Sequence, residues 1–220
     1  MSPSVRSVNL GAPSPGGDDH CPTGIRKAPA AGPVTIRDPG DRRTGLGSGV
    51  EGDFIGSRKH HGGSDQAVYA VAREELDHWS AELGRELTDG CFGENLTTLG
   101  LGVDGAIVGE IWQVGPTVRL QVTSPRIPCR TFATAMGVPR WVKRYAARGH
   151  TGAYLRVLTP GPVQAGDPIV VESRPDHGIT VPEMFRIVTT EKDRIGELAV
   201  IDDLCDQARR DLDRWRRRQG

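Results

Sequence analysis

Glycine and proline set the first limit on this fold. The chain holds 29 glycines and 16 prolines, most of them before Asp176, where they cut it into short runs rich in β-branched residues. Runs this short favour many brief strands and turns over long helices, as in a barrel or a sandwich. Val118, Leu120 and Val122 alternate with Arg119, Gln121 and Thr123, the period of a strand with one buried face. Further strands are expected at 5–10, 33–37, 106–114, 154–157 and 168–172. One helix interrupts them at about 72–83, where Leu76, Trp79 and Leu83 form an apolar stripe predicted to pack against the body.

The pattern changes after Asp176. Thr180, Pro182 and Glu183 fit a helix cap with proline in the first turn. Ile201, Leu204, Cys205, Ala208, Leu212 and Trp215 then recur at helical spacing. The expected division is a β-rich body over 1–175 and a helical segment over 176–220. That segment is too short to bury a core alone, so it packs on the body or on a second copy of the chain as a homodimer.

Charge excludes some partners. Lys+Arg and Asp+Glu both number 28, so nothing in the balance asks for nucleic acid or an acidic membrane. Arg209, Arg210, Arg214 and Arg216 to Arg218 are interleaved with Asp206, Asp211 and Asp213, which reads as a solvated helix end. No run approaches the roughly 18 apolar residues of a membrane span, and the N-terminus lacks the apolar centre of a secretory signal. A soluble cytoplasmic protein is expected.

Four motifs bear on chemistry. Gly100, Gly102 and Gly105 match GxGxxG, but a strand is expected after them where a dinucleotide site needs a helix, so they read as a turn. His60-His61-Gly62-Gly63 follows Arg58 and Lys59. It is either a ligand-approaching loop or a tight turn with a surface histidine; in a strand the two rings would point to opposite faces. Gly93 to Thr98 is a run of short hydrogen-bonding residues, suited to a polar ligand or to a turn. The fourth is SPRIPCR at 124–130, where two prolines stiffen a segment that places Arg126 and Arg130 around Cys129. The four cysteines form no CxxC pair, and a free thiol is most often a core residue. Against that reading for Cys129, neighbouring cations favour thiolate, the form that binds metal or attacks electrophiles. No GxSxG elbow is present, so hydrolysis is not supported.

In order, TGIRK at 23–27, EGD at 51–53, HHGGSDQAV at 60–68, FGENL at 92–96 and SPRIPC at 124–129 resemble a MOSC domain of the stand-alone bacterial kind. The resemblance implies a mainly β, closed barrel with a few helices, followed by a small C-terminal helical segment. It implies binding of the molybdenum cofactor, a pterin dithiolene with a phosphate, with Cys129 as metal ligand and catalytic centre. Arg58, Lys59, His61, Gly62 and Gly63 would hold its phosphate or pterin. Asn95, Thr97, Arg126 and Arg130 would add polar contacts. Related proteins reduce N-hydroxylated compounds such as hydroxylaminopurines and amidoximes, so an N-hydroxylated small molecule is the implied substrate. The chain carries no flavin, haem or iron–sulfur motif, so a separate reductase would donate electrons. The alternatives are a non-catalytic carrier of cofactor or persulfide sulfur and an interaction module. Ser64 stands where the family has proline, and Arg130 where an aromatic residue is common.

Overall fold

The computed structural model describes residues 2–16 and 21–220. Its strands are β1 (Ser4–Gly11), β2 (Lys27–Pro29), β3 (Val34–Ile36), β4 (Val68–Ala72), β5 (Leu96–Leu99), β6 (Ile111–Val114), β7 (Val118–Pro125), β8 (Ala153–Thr159), β9 (Gly161–Val163) and β10 (Ile169–Ser173). Between and after them run helices α1 (Arg73–Leu83), α2 (Arg130–Met136), α3 (Trp141–Arg148), α4 (Val181–Thr189) and α5 (Asp206–Gln219). Eight strands form one sheet in the order β10-β6-β7-β8-β4-β5-β1-β2, with β3 and β9 paired apart from it. Every pair in the sheet is antiparallel except β4 with β5.

The sheet's ends meet. Val5 donates to the Asp167 carbonyl at 2.8 Å, Gly166 to Val5 at 2.8 Å and Ile169 to Pro3 at 2.9 Å. The first half of β1 therefore bonds to the entry of β10, while its second half, Asn9 to Gly11, pairs with β2. The expected closed barrel is found as a sheet with a short bridged seam, not as a continuous ladder all the way round.

The alternation in β7 predicts one exposed face, yet Gln121 and Thr123 are also buried. The tail covers that face: Gln121 donates to Asp203 at 3.3 Å and accepts from Arg156 at 3.1 Å. The strand expected over 106–114 is regular only from Ile111. Val103–Gly105 forms a 3-10 turn, as the glycine motif predicted, and Val108 donates to the Ile179 carbonyl ahead of α4. Pairing with the tail takes the backbone groups that a longer strand would have used.

Two core regions lie inside and outside the sheet. The inner one is aliphatic apart from Trp112, built on Val8, Val68, Leu96, Leu120 and Leu155 around it. The outer one is aromatic: Phe92 meets Phe132 of α2 and Tyr145 of α3 edge-to-face, and Trp141 of α3 stands edge-on to Phe132 and to Trp79 of α1. Such pairs add about 0.5–1.5 kcal/mol each beyond the area they bury. The predicted stripe of α1 faces this cluster. Helices α2 and α3, with 7 and 8 residues, were not anticipated.

In the tail, Thr180 accepts from the Glu183 amide at 3.2 Å as predicted. The Glu183 carboxylate pairs with Arg194 instead of returning to the cap. Met184, Ile187, Leu198, Leu204, Ala208 and Leu212 close a small core over Val108 of the body. Asp65, from the HHGGSDQ segment, fastens the junction: one oxygen takes Arg156, the other accepts the Asp206 amide at 2.7 Å at the start of α5. Asp65→Ala is expected to lower stability by about 0.5–2 kcal/mol, the range for a lost helix cap. Hydrogen exchange should localise the loss to the first turns of α5, and unchanged protection there would contradict the assignment.

Candidate active site

Strand β7 delivers the SPRIPCR segment. After Pro125 the chain turns, and Cys129 becomes the extended residue ahead of α2, with φ −123° and ψ 175°. Cys129 is half-buried and lines a cavity. The two flanking arginines separate. Arg126 is 4% exposed, donates to the Phe92 carbonyl at 2.8 Å and lies 3.9 Å above the Phe132 ring. Burial opposes its charge, but Tyr69, Tyr154, Tyr145 and Cys129 outweigh that and hold its pKa above the usual value. It lines the cavity with Cys129. Arg130 is exposed and is not one of the lining residues, because the start of α2 turns it outward. Of the two guanidiniums expected to face a ligand, only that of Arg126 belongs to a residue lining the cavity.

A buried polar network supports the opposite wall. Lys27 forms an ion pair with Asp53, and their side chains are 5% and 0% exposed. Asp53 also accepts from the Gly11 amide at 2.8 Å, Ser48 at 2.8 Å and Asn95 at 2.9 Å. Asn95 in turn accepts from the Tyr69 amide at 3.2 Å. Burial lowers the Lys27 pKa, with Asp53 opposing the shift. Thr97 lies behind this wall: it accepts from Asn9 at 2.9 Å, donates to Glu94 at 3.0 Å and does not reach the cavity. Its predicted role as a ligand contact becomes a supporting one.

Glu94 is fully buried and accepts from the amides of Gly90 and Phe92 and from Thr97. Desolvation pushes its pKa up from 4.5 to about 7, against the pull of those donors. A carboxyl with a raised folded-state pKa binds its proton more tightly when folded. Its contribution to stability is full below pH 4.5 and is lost as the pH rises to about 7. Glu94→Gln is expected to flatten that part of the stability profile, measured by urea unfolding across the range. An unchanged slope would assign it to other groups.

The histidine loop is a turn, not a strand. His60 and His61 therefore both line the cavity, as does Gly62. Gly62 has φ +85°, and a Cβ there would lie 2.5 Å from the Gly47 carbonyl oxygen, so the loop's shape depends on glycine. Gly63 lines the neighbouring cleft. Arg58 does not face the cavity: its guanidinium donates to the Gly45 carbonyl at 2.8 Å. Lys59 is exposed and also off the lining. Positive charge near a loop in sequence did not give its direction.

Sequence reasoning missed Lys27, Asp53, Tyr69, Tyr154 and Gln66. Lys27 and Asp53 sit inside TGIRK and EGD, where Arg26 and Glu51 carry the same sign, so the segments were legible but not which charge in each turns inward. Gln66 carries a buried side-chain oxygen without a hydrogen-bond partner, and the residue lines the cavity. An orphaned acceptor of this kind suits the N–H groups of a pterin. With a half-buried thiol and a guanidinium on the same cavity, these residues fit the cofactor that the sequence resemblance implies.

The chain is similar to known proteins over most of its length. A family model for the MOSC domain matches residues 57–170. The chain is similar to YflK of Bacillus subtilis, 36% identical over 186 residues covering 84% of this chain and 80% of that one. It is also similar to a Gibberella moniliformis protein named Reductase, 33% identical over 155 residues that make up 69% of this chain but 28% of the fungal one. Among solved structures, YiiM from Geobacillus stearothermophilus aligns with a TM-score of 0.76 and 28% identity, covering 96% of this chain and 98% of its own. Among the described residues no helix is long and apolar enough to cross a membrane.

Proposed function

Because the chain belongs to the MOSC domain family, we propose that its cavity binds the molybdenum cofactor and that the protein is a reductase of N-hydroxylated compounds. One observation carries the reading. Cys129, Arg126, Gly62, Asn95 and Gln66, drawn from three separate motifs, line a single cavity.

Cys129 Sγ would be the soft protein ligand to molybdenum. Arg126, charged and screened from water, would hold the anionic part of the cofactor. Gln66 Oε1 would accept from a pterin N–H, and the Asp53–Asn95–Tyr69 chain keeps that wall rigid. When bound, the cofactor supplies the electron pair for N–O cleavage. The overall reaction takes two electrons and two protons, replaces N–OH by N–H and releases water. His60 and His61 lie on the same cavity and relay the protons, the role imidazole serves near neutral pH. A separate electron-donating reductase completes the system. The likeness to a protein named Reductase supports the reaction class.

Protein from a host that makes the cofactor, mixed with benzamidoxime and a chemical reductant, should yield benzamidine at a rate proportional to its molybdenum content. Molybdenum-loaded protein that forms no amidine would remove the reductase reading and leave a carrier of cofactor or sulfur.

A further inference from the structure

A second cavity, of about 400 Å³, lies between the loop at 40–43, the turn at 124–127 and the tail helices. Gly62 and Gln66 line both cavities, so the two share a wall. Its volume falls in the range of small-molecule sites, about 300–1,000 Å³. Ile127, 47% exposed, joins Met184 and Val188 of α4 to give it an apolar side.

Its available charge is positive. Arg42 and Arg43 line the cleft, and neither guanidinium makes a hydrogen bond or ion pair among the described residues. The nearby carboxylates are engaged. Asp41 accepts from the amides of Arg43 and Thr44, Asp65 holds Arg156 and the start of α5, and Asp211 holds Gln207 and Arg214. Asp206 sits in the first turn of α5, where the helix amides offset its charge.

We propose that this cleft takes the substrate as a phosphorylated N-hydroxylated nucleoside. The flat base lies on the apolar side, and the phosphate is held by Arg42 and Arg43, whose guanidiniums match phosphate oxygens in pairs. The cleft borders the cavity of Cys129 through Gly62 and Gln66, and the reducible end is directed at that border. The N-hydroxylated base rests on the reductase reading above; the phosphate follows from the arginines of the cleft.

The test is calorimetric titration of 6-hydroxylaminopurine as the free base and as its riboside 5′-monophosphate, with ribose 5-phosphate as control, on protein whose molybdenum is assayed in parallel. The monophosphate is expected to bind at least about tenfold tighter than the base. Arg42→Gln with Arg43→Gln should erase that preference without changing affinity for the base. Gln207→Trp, which fills the cleft from α5, should weaken both nucleobase ligands about tenfold, with folding of each variant checked by circular dichroism. Equal binding of base and monophosphate, no binding of either, or a preference that survives the double variant would overturn the proposal. So would ribose 5-phosphate binding as tightly as the monophosphate, which would make this a bare anion site. Molybdenum-loaded protein that keeps the preference but forms no amidine from benzamidoxime removes the reductase reading and leaves the cleft; loaded protein that forms amidine but shows no preference does the reverse.

Discussion

Cys129→Ser is expected to drop the molybdenum content from about one ion per chain to near zero, because a neutral hydroxyl cannot replace thiolate toward a metal that takes soft ligands. The fold should survive. Cys129 is half-buried at a helix start, and the exchange alters one atom, so the change in unfolding free energy should stay within about 1 kcal/mol. Elemental analysis beside thermal unfolding separates the two effects. Pterin should remain with the variant, since the residues proposed to hold it, Gln66 and Arg126, line other parts of the wall. Molybdenum retained at the parent level would take Cys129 out of the metal site.

Asp53→Asn carries the largest expected effect on stability, about 3–5 kcal/mol, the usual consequence of leaving one partner of a buried ion pair uncompensated. The carboxylate takes Lys27, Ser48, Asn95 and the Gly11 amide. An amide in its place turns one acceptor into a donor facing donors. Urea unfolding at constant m-value would measure the loss. Lys27→Met combined with Asp53→Leu should recover only part of it: replacing both charges removes the uncompensated ion, while Ser48, Asn95 and the Gly11 amide still lose their acceptor. A single variant within about 1 kcal/mol of the parent would mean that water reaches the pair and that the wall is softer than its burial indicates.

The parts of this architecture that could be read in advance are those written in local order. Alternation gave β7, the glycine and proline spacing gave a sheet-rich body, and the Thr180 cap gave α4. Strand β4 escaped because all five of its residues are buried, which erases the period that marks a half-exposed strand. Helices α2 and α3 escaped because each offers about two turns, too few for a period to show. At the site, Cys129 was legible because proline and arginine mark it within seven residues. The Lys27–Asp53 pair spans 26 positions, and no local rule joins two charges that far apart. Arg58 and Lys59 were assigned by sign alone, whereas the backbone decides which way a side chain leaves a turn.

Asp65 gives the histidine loop a fixed length. Its carboxylate reaches strand β8 through Arg156 and the first turn of α5, and its own carbonyl accepts from Thr123 at 2.6 Å. Adding or deleting one residue between Ser57 and Asp65 would either pull the carboxylate off the tail or drag His60 to Gly62 away from the cavity. Length changes in variants of this protein should therefore be rejected between Ser57 and Asp65, although the segment is a surface turn.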